Sequence, residues 1–361
     1  MKNLIDYFKD KIYYIMGATV LIIVILIIVN ACSGGNGNSY EKIEENMVNA
    51  AKEYYSTRKN KLPKEEDSTI KVTIGTLVDA ELLKEIKDPN NKEQTCEGYV
   101  EVTKVGEEYS YLPFLTCEEN YEPKYLTDVI KNSKIDEYGN GVYEIDGEYV
   151  YRGDDVKNYV SFNNQLWRIV KVDSEGDIKL VLAKSTEDTY PFDEAYNSES
   201  EYESGITTNY LNTNIRKTLN NYYKNNFSKD NKAKIVSKDL CVGKYLESDA
   251  FSVEKECSII KENEKIGLLN VSDYKNASLS EGCTNLNKQE CTNQNYLSTK
   301  DVTTWLLNIS SENTYEAFYL HQTISSIDAS NYVSLNPVIY ITSKSIIADG
   351  KGTLEKPYIV K

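Results

Sequence analysis

The chain has 361 residues, with 56 acidic against 41 basic side chains and a formal net charge of −15, and no basic patch interleaved with aromatics; nucleic acid is therefore not expected as a partner. Seven cysteines, a single histidine and no C-x-x-C spacing argue against a zinc site. Thirty tyrosines against seven phenylalanines supply apolar area with polar tips, which suits a wet binding surface and the exposed edges of many strands alike.

The first predicted element is an uncharged run, residues 12–29 (IYYIMGATVLIIVILIIV), about 27 Å long as a helix and just long enough to span a bilayer. Lys2, Lys9 and Lys11 precede it and a strongly acidic chain follows. The positive-inside rule then predicts a cytoplasmic N-terminus over 1–11, a transmembrane or signal segment over 12–31, and export of the rest. Cys32 stands where the apolar run stops. Its context, VNAC followed by SGGN, resembles the lipobox of bacterial lipoproteins, which implies cleavage and lipidation at Cys32. An 18-residue apolar run exceeds the h-region of a cleaved signal and fits an uncleaved signal anchor equally well. Either way the bilayer is a partner, and the protein is expected on the outer face of the cytoplasmic membrane.

Residues 32–39 read as a flexible, glycine-rich spacer. Next, Ile43, Met47, Ala50, Ala51, Tyr54 and Tyr55 recur at helical spacing until Pro63 ends the segment. A β-like STIKVTI, a short helix over 76–86 and two strands, GYVEVTKV and EEYSYLPFLTC, complete a small domain over 40–118. An apolar N-terminal helix, an amphipathic helix and a small sheet closed by cysteines together resemble the head of a type IV pilin or pseudopilin. The processing site of that family and the glutamate inside its apolar helix are missing, so the resemblance implies a membrane-proximal domain rather than pilus assembly.

A polar linker is predicted over 119–138, with a short helix at 125–132. From 139 to 361 the pattern is β: Asp146-Gly147 separates two strand-like runs, Asn163-Asn164 separates two more, and further strands are expected at LCVGKY, CSIIK, IGLLNVSDY, TTWLLNIS, NPVIYITS and KPYIV. One main helix, over 208–227, carries Leu211, Ile215, Leu219, Tyr222 and Tyr223 on a stripe. The predicted class is therefore α+β with mostly antiparallel strands, not a parallel nucleotide-binding sheet. YVSFNNQLWRIVKV, GLLNVSDY, WLLNIS and NPVIYITSKSIIADGKGTLEKPY resemble, in order, an uncharacterised bacterial surface domain of Firmicutes and their relatives. That group is similar in layout to C-type-lectin-like domains and the formylglycine-generating enzyme fold. The resemblance implies recognition of a glycan or surface protein; the reactive-cysteine motif of the enzyme is absent here.

Cysteine counting adds a redox expectation. With Cys32 set aside, six cysteines remain in three sequence-local couples: Cys96 with Cys117, Cys241 with Cys257, and Cys283 with Cys291. Six allow 15 pairings, and the local set is the one expected in an exported chain. Trp167 and Trp305 lie inside apolar strand runs and read as core aromatics. His321 reads as a strand histidine, and without G-x-S-x-G, H-E-x-x-H or a P-loop no catalytic residues are assigned. The loop TEDTYPFDEAYNSESEYES carries seven carboxylates without Lys or Arg. Its Asp188, Asp193 and Glu194 are candidate Ca²⁺ ligands, against the alternative of a solvated acidic loop. Arg152-Gly153-Asp154 spells an adhesion tripeptide and reads as incidental. The expected function is binding, with a cell-wall-acting enzyme and a subunit of a pilus-like assembly as competing classes.

Overall fold

The computed structural model describes residues 37–194, 210–286, 288–298, 302–313 and 315–361. The expected segment over 12–31, Cys32, and Glu199, Glu201 and Glu203 lie outside these residues. No helix among the described residues is long and apolar enough to cross a membrane. The fold mixes helices and sheets, with few helices and mostly antiparallel strands, and divides into two units, 1–123 and 124–361.

In the first unit, helix α1 (Gly37–Ser56) buries Met47, Ala50, Ala51 and Tyr55, the predicted stripe, against a three-stranded sheet. It begins inside the expected spacer. The sheet runs β1 (Thr69–Thr73), β2 (Glu97–Val105), β3 (Glu108–Thr116), antiparallel throughout. Helix α2 (Ile74–Asp79) is capped by the Thr73 hydroxyl, which accepts from Thr76 N, and stops well short of residue 86. Glu81 adopts a left-handed φ of 60°, and the amides of Leu82 and Leu83 turn back to the Leu77 carbonyl, ending the helix. Cys96–Cys117 closes the β2–β3 hairpin as expected. Residues 119–123 are no linker: Tyr121 stacks on Tyr40 at 4.3 Å, and Asn120 donates to Asp88, a buried carboxylate that also accepts from the Tyr40 hydroxyl.

The second unit starts earlier than expected. Its helix α3 (Leu126–Lys131) buries Leu126 and Ile130 in the larger core, so 124–138 belongs to this unit. Two hairpins follow, β4 (Gly141–Ile145) with β5 (Glu148–Arg152) and β6 (Tyr159–Phe162) with β7 (Gln165–Val172). Both turns hold two residues at positive φ, Asp146-Gly147 (52° and 81°) and Asn163-Asn164 (54° and 58°), the primed geometry that matches strand twist. Then come β8 (Ile178–Leu182) and β9 (Tyr190–Pro191), helices α4 (Asn214–Asn226) and α5 (Lys229–Lys232), and strands β10 (Ile235–Val236), β11 (Lys238–Cys241) and β12 (Lys244–Tyr245). After them lie α6 (Val253–Glu256), β13 (Ile260–Glu264), α7 (Val271–Ala277), β14 (Thr304–Ser310), β15 (Glu316–Leu320), β16 (Ile324–Asp328), β17 (Tyr332–Val333), β18 (Val338–Ile341), β19 (Ile347–Asp349) and β20 (Tyr358–Val360).

Among the described residues the main sheet has nine strands, β10-β18-β8-β7-β6-β20-β19, with β4 and β5 attached through β5 to β7. Only its β6–β20 pair is parallel. A second sheet runs β12-β14-β15-β16, and β11–β13 and β9–β17 form two-stranded pairs. Three expectations are corrected here. The main helix is shorter, because Tyr210–Asn212 is a separate 3₁₀ turn, and this turns Leu211 out to 44% exposure while Ile215 and Leu219 stay buried. The stretch NVSDYK is helix α7 rather than strand: the Asn270 side chain accepts from the N3 backbone and the N3 carboxylate of Asp273 accepts from Asn270 N, a reciprocal cap. His321 lies in the turn between β15 and β16, not in a strand, with Nδ1 3.3 Å from the Thr303 hydroxyl.

Strand β7 carries a feature that strict alternation hides. Trp167 and Ile169 point into the core, and so do Val170 and Val172, because the β7–β8 register shifts between Ile169 and Lys171. The bulge re-phases the strand. Lys171, which alternation would place beside Trp167, therefore emerges on the opposite face.

Candidate functional site

That opposite face builds the site. In the ladder Lys171 of β7 pairs with Lys179 of β8, and Lys179 with Tyr340 of β18, so two ammonium groups and a phenol form one row across three strands. They floor a cleft of about 650 Å³ in the second unit, whose walls come from β5, β11, α6, the first turn of α7 and the β7–β8 turn.

Each cation in the cleft has an anionic partner. Lys171 donates to both oxygens of Glu148 at 2.8 and 2.7 Å. Lys179 lies 2.6 Å from Asp273 Oδ2, with both side chains under 5% exposed. Lys238 reaches three carboxylates of the β7–β8 turn, Asp173 at 2.8 Å, Glu175 at 2.5 Å and Asp177 at 2.8 Å. The Tyr340 ring lies between two of these lysines, 5.6 Å from Lys179 Nζ and 5.6 Å from Lys238 Nζ.

Glu256, at the end of α6, is the other buried carboxyl of the cleft besides Asp273. Its Oε1 accepts from the Ser272 hydroxyl at 2.6 Å and its Oε2 from Ser272 N at 3.0 Å. Burial, with the Asp273 charge adding to it against the Ser272 hydrogen bonds, moves its pKa from 4.5 up to about 7. The Cys241–Cys257 disulfide ties β11 to the residue after Glu256, and Cys283–Cys291 is formed as well. All three couples therefore pair as the sequence predicts.

Because Glu256 holds its proton more tightly folded than unfolded, the folded state binds more protons between about pH 4.5 and 7 and stability falls as pH rises through that window. A shift of this size in a buried group corresponds to about 3 kcal/mol. Urea melts at pH 5 and pH 8 should therefore differ less for Glu256→Gln than for wild type. Equal differences in the two proteins would show that Glu256 does not titrate in this range.

The other expected site residues distribute differently. Trp167 and Trp305 are buried, their indole N–H groups donating to the carbonyls of Phe162 and Tyr190. Asp188, Asp193 and Glu194 form no group of three within ligand reach; among the described residues the carboxylates that converge are Asp173, Glu175 and Asp177, and Lys238 already sits against them. Glu194 accepts from the Tyr332 hydroxyl. Arg152 is spent inside the fold: Nε and Nη2 donate to Ser278 O at 3.0 and 2.6 Å, and a side chain on Gly153 would collide with Asn140, so the tripeptide is not presented as a free loop.

The cleft residues were not singled out from sequence. Two signals were available, a lysine inside the otherwise apolar IKLVL and the compact acidic turn DSEGD, but the partners Asp273, Glu256 and Lys238 are brought in by distant elements. Against family profiles, curated proteins and solved structures the chain has no match.

Proposed function

We propose that this is a membrane-tethered, extracytoplasmic binding protein of a bacterial surface, whose lectin-like second unit takes a polar ligand, a glycan or the polar surface of a protein, in the Lys171–Lys179–Tyr340 cleft. One observation carries the reading: Lys171 held by Glu148 and Lys238 held by the β7–β8 turn set an ordered array of donors and acceptors in the cleft beside the Tyr340 ring, as polar recognition requires. A cell-wall-acting enzyme is the second reading and draws on Glu256, whose pKa suits a general acid. Binding is favoured because Glu256 is 4% exposed and both its oxygens are engaged by Ser272.

A glycan and cell-surface protein array probed with residues 37–361 tests the reading. The double variant Glu148→Gln, Lys171→Met removes a partly exposed pair without stranding a buried charge, and should weaken binding by about tenfold or more, or at least 1.4 kcal/mol. Unchanged binding by a folded variant would move the site elsewhere, and release of a cleaved product would favour the enzyme.

The tether rests on the apolar run over 12–29, with three disulfides supporting an oxidising compartment. Metabolic fatty-acid labelling should mark wild type and not Cys32→Ser if Cys32 is acylated. A full-length, unlabelled chain in the membrane fraction would leave the signal anchor, and an unlabelled soluble chain would refute both.

A further inference from the structure

Of the ion pairs among the described residues, Lys179–Asp273 alone has both side chains under 5% exposed, at 4% and 3%. Lys171–Glu148 is 20% and 29% exposed, Arg216–Glu264 is 29% and 5%, and Lys238 shares its charge among three acceptors. The Lys179 ammonium touches one carboxylate oxygen, Asp273 Oδ2, at 2.6 Å, and that oxygen also accepts from Asn270 N. Strand β8 and the cap of α7 thus hold an amine against a carboxylate oxygen, both almost fully buried at the floor of the cleft.

We infer that Lys179 and Asp273 condense to an intramolecular isopeptide bond that joins β8 covalently to α7. The atoms balance without oxidant or cofactor. A proton passes from the Lys179 ammonium to the Asp273 carboxylate within their hydrogen bond, leaving a neutral amine and a carboxylic acid. The Nζ lone pair attacks Asp273 Cγ, forming the C–N bond, and one C–O bond then breaks as its oxygen leaves in a molecule of water with two protons that began on nitrogen. The product is a secondary amide, and one positive and one negative charge disappear together.

Three features of the site favour this chemistry. The reacting groups are held in contact by a strand and a capped helix turn, which replaces an encounter with a fixed geometry. Only 4% and 3% of the two side chains are exposed, so little water reaches the bond for the reverse hydrolysis. The ion pair bears the cost of desolvating two charges, which the neutral amide does not.

The full chain, denatured, reduced and digested with trypsin, decides the matter, since trypsin does not cut after an acylated lysine. The expected product is peptide 172–184 joined to peptide 266–275, one water lighter than the two together, with fragmentation placing the link at Lys179 and Asp273. Recovery of peptides 172–179, 180–184 and an unmodified 266–275 in full yield would overturn the proposal, and this reading needs no variant to fold. Lys179→Arg and Asp273→Ala should lose the joined peptide entirely, and its persistence in either would refute the assignment.

Discussion

Replacing Trp167 with alanine should cost about 3–5 kcal/mol of stability, the range for deleting a fully buried large aromatic. Trp167 is 0% exposed and sits in one buried cluster with Ile215 and Leu219 of α4. Its ring centroid is 5.9 Å from that of Phe227, the residue that closes α4, and its Nε1 donates to Phe162 O at 3.1 Å across the β6–β7 hairpin. Alanine therefore opens a cavity and also removes a buried hydrogen bond. A urea melt should show a lower midpoint with the slope unchanged, the mark of lost stability rather than a changed unfolded state. Tyr332, 59% exposed, is the control, and its alanine variant should stay within about 0.5 kcal/mol of wild type. Near-wild-type stability of Trp167→Ala with loss of ligand binding would instead make Trp167 a recognition residue.

What could be read from the sequence was local. The three disulfides join cysteines 21, 16 and 8 residues apart, close enough for one hairpin or turn to bring each pair together. The two hairpin turns were legible because Asp-Gly and Asn-Asn tolerate positive φ. The stripe on α1 was legible because Met47, Ala50, Ala51 and Tyr55 lie on one helical face. Where a tertiary partner decides, the reading failed. Apolar residues over 266–271 look like a strand, yet Asn270 and Asp273 cap a helix there, and Glu256 and Lys179, from elsewhere in the chain, hold that cap in place. Lys171 would share a face with Trp167 but for a one-residue bulge that no period-2 pattern shows. The cleft is the least legible part, since its row of side chains is a property of strand order, β7-β8-β18, which joins residues about 170 positions apart.

The same distance rule makes Lys238 the most informative single charge in the cleft. The turn Asp173-Ser174-Glu175-Gly176-Asp177 closes on itself, Asp173 Oδ1 accepting from Glu175 N at 3.0 Å and Asp177 N at 2.9 Å, and three carboxylates come within 4.8 Å of one another. Mutual repulsion would open such a turn, and the Lys238 ammonium, 13% exposed, neutralises it from β11. Burial pulls the Lys238 pKa down, but the hydrogen bonds to Asp173, Asp177 and Glu175 outweigh it and hold the group well above the ordinary lysine value. Because the pKa is raised, the lysine's side of the interaction is complete below the ordinary lysine range and is lost as pH rises through the folded value. Lys238→Met leaves Asp173 and Asp177, 11% and 14% exposed, facing each other without a cation, while Glu175 at 75% is largely screened by water. The variant should lose about 3 kcal/mol at pH 7, at the lower end of the cost of breaking a buried pair. Lowering the pH protonates the stranded carboxylates, so the gap to wild type should narrow toward pH 4, whereas Lys238→Arg, which keeps the charge, should lose less at pH 7. Melts of the three proteins at both pH values test this: a Lys238→Met variant as stable as wild type at pH 7, or a deficit that does not shrink in acid, would mean that the turn holds its shape through its backbone hydrogen bonds alone.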